Sequence, residues 1–270
     1  MTLTKSRTVL VVFLVFLFLA VFAWGIRLQF MADKQTVWNY LFNTAFSLLY
    51  FFAGFTGILG GIKIGTKISM GKALFFIGSA WTSYAIGLVV WTYYNLALHV
   101  EIPSPSLADF FFIIIFLPLA SIGFWNLFKM YSSVITRRHI IDAVGIFILS
   151  LIFVFGYANR PSISKEFSLL ANLTNAAYPL VDTILLSYAL IIIRVGGGKI
   201  QRGMLIFSFG LLLQVIVDFI YTYTVAHDLY WNGGIADTLY SVSSFVIGLG
   251  LIHLYFNFIE IQQAEKQNIN

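Results

Sequence analysis

The 270 residues contain no cysteine. That excludes a disulfide framework, a thiolate-ligated zinc or iron–sulfur centre and a cysteine nucleophile. Charge is scarce too: Asp, Glu, Lys and Arg make up 10% of the chain, against about 25% in soluble domains. A soluble fold of this size needs far more polar surface. An ordinary soluble enzyme is ruled out on that ground, as are disordered and collagen-like chains. Histidine is limited to His99, His139, His227 and His253, none in a His-x-x-x-His or His-Glu-x-x-His arrangement. His99 and His227 fall at matching ends of two apolar segments, but solvated loop residues are a simpler reading than a bis-His metal or haem site. No lysine sits near the middle of an apolar segment, so a retinal Schiff base has no anchor. Gly196-Gly197-Gly198 beside Lys199 lacks Walker spacing and is read as a turn. No Ser/His/Asp or metallohydrolase signature is present, so no enzyme class gains support. No cofactor and no metal ligand set is implied.

What the chain does have is apolar mass. Sixty per cent of its residues are hydrophobic and 18% aromatic, with 28 phenylalanines. A helix needs about 20 mostly apolar residues to cross a bilayer. Eight segments qualify, over approximately 8–30, 37–62, 71–97, 108–130, 139–158, 168–194, 203–226 and 236–260. The expected fold is all-α, a single integral membrane domain of eight transmembrane helices with a short tail over 261–270. The first segment follows Lys5 and Arg7, as a signal peptide would. Its run from Thr8 to Trp24 is long for a signal core, and no small-x-small cleavage site follows. It is read as a retained helix.

The basic residues set the orientation. With the N-terminus in the cytoplasm, the inner segments hold Lys5, Arg7, Lys63, Lys67, Lys72, Lys129, Arg137, Arg138, Arg194, Lys199, Arg202 and Lys266. The outer segments hold only Arg27, Lys34, Arg160 and Lys165. Cytoplasmic loops carry the excess of Lys and Arg, so both termini are expected inside a cell (inner) membrane. The net charge of +5 is thus a topology signal and not a sign of nucleic-acid binding.

The two halves look related. Shifted by 132 residues, Asn43-Thr44-Ala45-Phe46 falls on Asn175-Ala176-Ala177-Tyr178, Gly71 on Gly203, Gly78 on Gly210 and Trp91 on Tyr223. With a slightly shorter loop, Ala108-Asp109 matches Ala236-Asp237. The reading is a tandem 4+4 parallel repeat, over about 8–130 and 139–260, with its axis along the membrane normal.

The acids single out a site. A carboxyl near the bilayer centre costs roughly 2.5–3.5 kcal/mol on insertion scales. Asp182 lies midway along the sixth helix and Asp218 in the outer half of the seventh. Helical spacing puts Asn172, Asn175, Pro179 and Asp182 on one face, and Gln214, Asp218 and Tyr221 on another. Asn43, Ser47 and Tyr50 share a face of the second helix, and Trp81, Tyr84, Leu88, Trp91 and Asn95 make a stripe on the third. The functional reading is an outward-opening polar and aromatic pocket. The plainer reading is interhelical glue, worth about 0.6 kcal/mol per polar pair. Glue is preferred for Asn43, Ser47, Asn175 and Gln214, and a binding role for Asp182 and Asp218. Trp91 and Tyr93-Tyr94 divide equally between pocket and interfacial aromatic belt. Asp109 and Asp237 head the fourth and eighth helices, where a first-turn acid suits capping and the helix dipole. The loop Glu101-Ile102-Pro103-Ser104-Pro105-Ser106 before Asp109, stiffened by two prolines, either shapes a pocket mouth or ends the third helix. Asp142, after Arg137, Arg138 and His139, is read as a local ion pair.

Several of these segments form a recognisable set: Pro103-Ser104-Pro105-Ser106-Leu107-Ala108-Asp109 with Phe110 to Phe112 and Pro118-Leu119, then Tyr178-Pro179-Leu180-Val181-Asp182, Asp218 with Tyr221, and Ala236-Asp237. In this the chain resembles, over nearly its whole length, the eight-helix membrane input modules found ahead of GGDEF-type diguanylate cyclases and histidine kinases in bacteria. The resemblance implies a module that senses a stimulus and passes it to a cytoplasmic effector; it implies no particular ligand. No cyclase or kinase sequence follows within the 270 residues. The effector is then a separate protein, or lies beyond this stretch, or the fold serves another purpose. The tail Phe258 to Asn270 would extend the eighth helix into the cytoplasm. The expected partners are the bilayer, a small molecule or lipid, a cytoplasmic effector and a second copy of the chain. A secondary or proton-coupled carrier is the alternative, on the strength of repeats and intramembrane carboxyls. A membrane enzyme acting on lipid-like substrates comes last.

Overall fold

A computed structural model describes residues 3–100, 103, 105–130, 136–158, 163, 165–195 and 200–269, without the side chains of 158, 194, 195, 268 and 269. Glu101, Ile102 and Ser104 of the proline loop, the inner turn Gly196-Gly197-Gly198 with Lys199, and Arg160 lie outside the described residues. Among the described residues eight helices are long and apolar enough to cross a membrane: α1 (Leu3–Gln29), α2 (Val37–Ile64), α3 (Ser69–Leu96), α4 (Leu107–Lys129), α5 (Arg137–Tyr157), α6 (Leu169–Val195), α7 (Gln201–Ala226) and α8 (Ile235–Ile269). There is no strand among the described residues. In lipid a helix is the form in which each segment satisfies its own backbone N–H and C=O groups.

Two expected boundaries move. Helix α1 starts at Leu3 and so contains Lys5 and Arg7. Helix α8 continues past the expected span end near residue 260, through the tail to Ile269, 35 residues in all. At 1.5 Å per residue this is about 52 Å, some 20 Å more than the hydrocarbon core requires.

Small residues decide where the helices meet. A Cβ on Gly57 of α2 would lie 2.8 Å from the Cα of Gly78 on α3, and one on Gly78 would lie 2.5 Å from the carbonyl of Gly54. The two backbones therefore touch, as small residues permit in lipid. Helix α3 packs in turn on α4, α7 on α8, and α8 on α2. Helix α1 lies on α8 and α2 through Leu14, Val21 and Leu28. Spaced by seven, these three form one stripe. Helices α5 and α6 pack on one another, and α6 on α7, more thinly.

Two irregularities shape the cavity wall. Helix α4 opens with a π-helical stretch over Phe110–Ile115. A carbonyl of this widened stretch, that of Phe111, accepts from Ser83 Oγ at 2.8 Å. Gly87 on α3 leaves room for the ring of Phe112, which a Cβ there would meet at 2.5 Å. Helix α6 carries Pro179 in its interior, which removes one rung of the backbone ladder. Thr183 Oγ1 bonds back to the Pro179 carbonyl at 2.8 Å.

Contacts bring both chain ends to one end of the bundle. Arg7 of α1 pairs with Glu260 of α8 at 3.6 Å and also contacts the ring of His253. At the opposite end Gln29 Nε2 donates to the Gly233 carbonyl at 2.9 Å.

Candidate functional site

A cavity of about 570 Å³ opens among α2, α3, α4, α6, α7 and α8. Its depth follows from the order of residues along each helix. Trp81 of α3, Phe116 of α4, Leu185 of α6 and Gln214 of α7 form the floor. Asp182 and Asp218 lie halfway up, with Tyr84, Phe112 and Tyr240. The mouth is framed by Trp91, Pro103, Asp109, Tyr221, Val225, Tyr230 and Asp237, at the end where α3 leads to α4 and α7 to α8. Eight of the nine candidate residues line this space: Tyr84, Trp91, Asp109, Tyr178, Asp182, Asp218, Tyr221 and Asp237. The ninth, Asn95, lies a turn beyond Trp91 and outside the lining; its amide donates to the Trp91 carbonyl at 3.2 Å.

The halfway level holds a polar cluster drawn from five helices. The side chains of Asp182 and Asp218 are hydrogen-bonded across α6 and α7. Tyr240 OH donates to Asp218 Oδ1 at 2.5 Å. Gln214 Nε2 lies 3.3 Å from both Asp218 oxygens and from Tyr84 OH. Gln214 Oε1 accepts from Tyr50 OH at 2.5 Å and from Ser243 Oγ at 2.8 Å. Gln214 thus both lines the cavity and ties α7 to α2, α3 and α8. Asp182, 3% exposed, lines the cavity and does not face lipid.

The mouth is built on two helix starts. Ser106 caps α4, and Asp109, three residues on, takes the Ser106 backbone N–H at 2.5 Å and its hydroxyl at 2.8 Å. Asp237 occupies the same third position of α8 and accepts from the Gly233 N–H at 2.7 Å. Both acids therefore stabilise the first turns of their helices. Each also takes a tyrosine: Tyr178 of α6 donates to Asp109 Oδ1, and Tyr230 donates to Asp237 at 3.3 Å. Burial, then the charge of Asp237 and the neighbouring Tyr221, push the Tyr230 hydroxyl well above the ordinary phenol range, so it serves as a donor. Asn232 Oδ1 gathers the rim, accepting from Asn43 Nδ2 at 2.7 Å and from Trp91 Nε1 at 3.0 Å.

Aromatic rings make a large part of the wall. Tyr50 stacks on Trp81 at 5.3 Å, and Phe116 meets Trp81 edge-on at 5.0 Å. Tyr84 leans on Phe112 at 4.8 Å, and Tyr221 is edge-on to Tyr230 at 4.9 Å.

Sequence reasoning did not find Tyr230, Tyr240, Phe112 or Phe116 as wall residues. Tyr240 was within reach of it, because it stands three residues after Asp237 and so on the same helix face. Tyr230 is a loop residue, and no helical period applies to it. Of the remaining polar positions, Asn43 and Asn175 line the cavity, while Ser47 bonds to the Thr44 carbonyl of its own helix at 2.7 Å.

No family model, no curated protein and no solved structure matches the chain.

Proposed function

We propose that the protein is a receptor-like membrane sensor. A small molecule or lipid enters the cavity from the outer side, biases the packing of α6 against the rest of the bundle, and α8 reports the change to a cytoplasmic effector. One observation carries this reading. The cavity is walled on one side by α6 and on another by α8, and α8 runs on unbroken for about 20 Å past what a bilayer needs. A rigid rod leading from a ligand site out of the membrane suits a transmitter. The charge asymmetry of the loops supports a cytoplasmic position for that rod. The resemblance to input modules of cyclases and kinases supports the same class.

A tandem 4+4 repeat also belongs to this reading. Asp109 and Asp237 hold equivalent positions at the starts of α4 and α8, and the α3–α4 and α7–α8 pairs correspond. A ligand between the halves shifts their equilibrium only so far as it binds the two arrangements unequally.

The absence of cysteine allows a direct test. Spin labels at Lys67→Cys and Gln267→Cys are unique, and both positions are exposed. Leu88→Trp fills the cavity from α3. The distance between the labels should differ by about 2 Å or more between the open and the plugged protein, and native mass spectrometry of gently solubilised protein should find a small molecule that the plug removes. Identical distances with an empty cavity in both proteins would overturn sensing. Proteoliposome flux abolished by Asp182→Asn would instead establish a carrier, to which the intramembrane acid pair is also suited.

A further inference from the structure

We propose that the cavity accepts an organic ammonium ion, a cationic nitrogen carried on an apolar body. This inference rests on the reading of the cavity as a ligand site, and specifies the ligand's charge and shape.

Charge comes first. Of the 24 described residues that line the cavity, four are aspartates and none is Lys, Arg or His. Lys34, a cation at the same end of the bundle, is engaged by the Leu28 and Gln29 carbonyls at 3.1 and 2.8 Å and by the ring of Trp231. An anionic guest would thus meet acidic side chains and no lining cation to balance its charge. A cationic guest would meet Asp182 and Asp218 halfway down and Asp109 and Asp237 on the way in.

Shape follows. Ten of the lining residues are aromatic. Ring faces within about 6 Å of an ammonium attract it through their quadrupole, and they also bury its hydrocarbon substituents. A bare inorganic cation makes no use of such walls; it needs several converging oxygen ligands. Among the described residues no group of three or more His, Cys, Asp or Glu side chains is placed to hold a metal ion. The 570 Å³ volume falls in the range of about 300–1,000 Å³ that small organic molecules occupy.

The test uses the full chain in nanodiscs and three matched probes: phenethylammonium, 2-phenylethanol and phenylacetate. They share a ring and a two-carbon reach and differ in charge. Calorimetric titration should show phenethylammonium binding at least tenfold more tightly than either of the others. The Asp182→Asn/Asp218→Asn double variant should lose at least tenfold for phenethylammonium and keep its response to 2-phenylethanol. Should the double variant not fold, Val181→Trp, which plugs the cavity and leaves every carboxyl in place, should abolish binding of the ammonium. Equal binding of the three probes, preference for phenylacetate, or ammonium binding that survives the plug would overturn the proposal. Ammonium binding without any change in the Lys67–Gln267 label distance would leave it standing and overturn sensing instead. A neutral or anionic small molecule recovered from the cavity would do the reverse.

Discussion

Helices α2 and α3 lie backbone against backbone; helices α5 and α6 do not. On α2 and α3, Gly54, Gly57, Gly61, Gly71 and Gly78 each leave no room for a methyl group. On α5, a Cβ at Gly145 or Gly156 would meet nothing within 4 Å. The most apolar stretches of α2 and α3 are each 56% buried, against 39% for α6 and 11% for α5. Ile141, Leu149 and Ile152 of α5 face outward. In water that exposure would be a defect. In lipid it costs nothing, because acyl chains are as apolar as leucine and helices have no hydrophobic reason to close ranks. The contrast bears on the cavity directly. Its α3 and α8 walls belong to the tight part of the bundle, while its α6 wall belongs to the loose part. Hydrogen bonds tie α6 across the cavity, Tyr178 to Asp109 and Asp182 to Asp218. A guest that competes for those bonds acts on the least restrained wall.

The sharpest way to break the contrast is a bulky side chain in the tight seam. Gly57→Leu should cost about 3 kcal/mol or leave no folded protein, whereas Gly145→Leu should change stability by less than about 0.5 kcal/mol; thermal unfolding in detergent compares the two. A smaller loss, about 2 kcal/mol by the same measurement, is expected for Asp218→Ala, which strips Tyr240 and Gln214 of their acceptor. If Asp182→Asn and Asp218→Asn leave both stability and binding untouched, the acid pair has no role in the cavity. Next comes Tyr178→Phe, which removes one tie to α6. It should cost about 1 kcal/mol and speed hydrogen exchange over residues 169–185, with α2 and α3 unchanged. Equal acceleration in both regions would mean that α6 is not a separately mobile wall. The smallest effect belongs to Arg7→Ala. The Arg7–Glu260 pair is 24% and 51% exposed, so its loss should shift unfolding by less than about 1 kcal/mol.

The spans were legible because lipid enforces them. Each apolar run of sufficient length became a helix, and the ends moved only where polar residues continued it, as at Glu260 to Ile269 of α8. Much of the site was legible as well. Gln214, Asp218 and Tyr221 recur at helical spacing, and their face is the one that lines the cavity. The stripe Trp81, Tyr84, Leu88 and Trp91 holds for the same reason. It fails at Asn95, which has the right phase but stands about 6 Å further along the axis, past the mouth. Period reports the face of a helix and not where a cavity ends. Tyr230 and the bond from Tyr240 to Asp218 were hidden because they depend on which helices are neighbours. The preference for glue at Gln214 was half of the answer: the side chain ties four helices and lines the cavity too.

By itself the sequence determined the solvent, the eight crossings and the polar faces, because a bilayer penalises every unsatisfied backbone group and every outward carboxyl. Only the tertiary structure decided which faces meet. Helices in lipid associate through small residues and a few polar bonds and not through greasiness, so the close approach of α2 to α3, the looseness of α6 and the meeting of Asp182 with Asp218 could be fixed only when all eight helices were placed together.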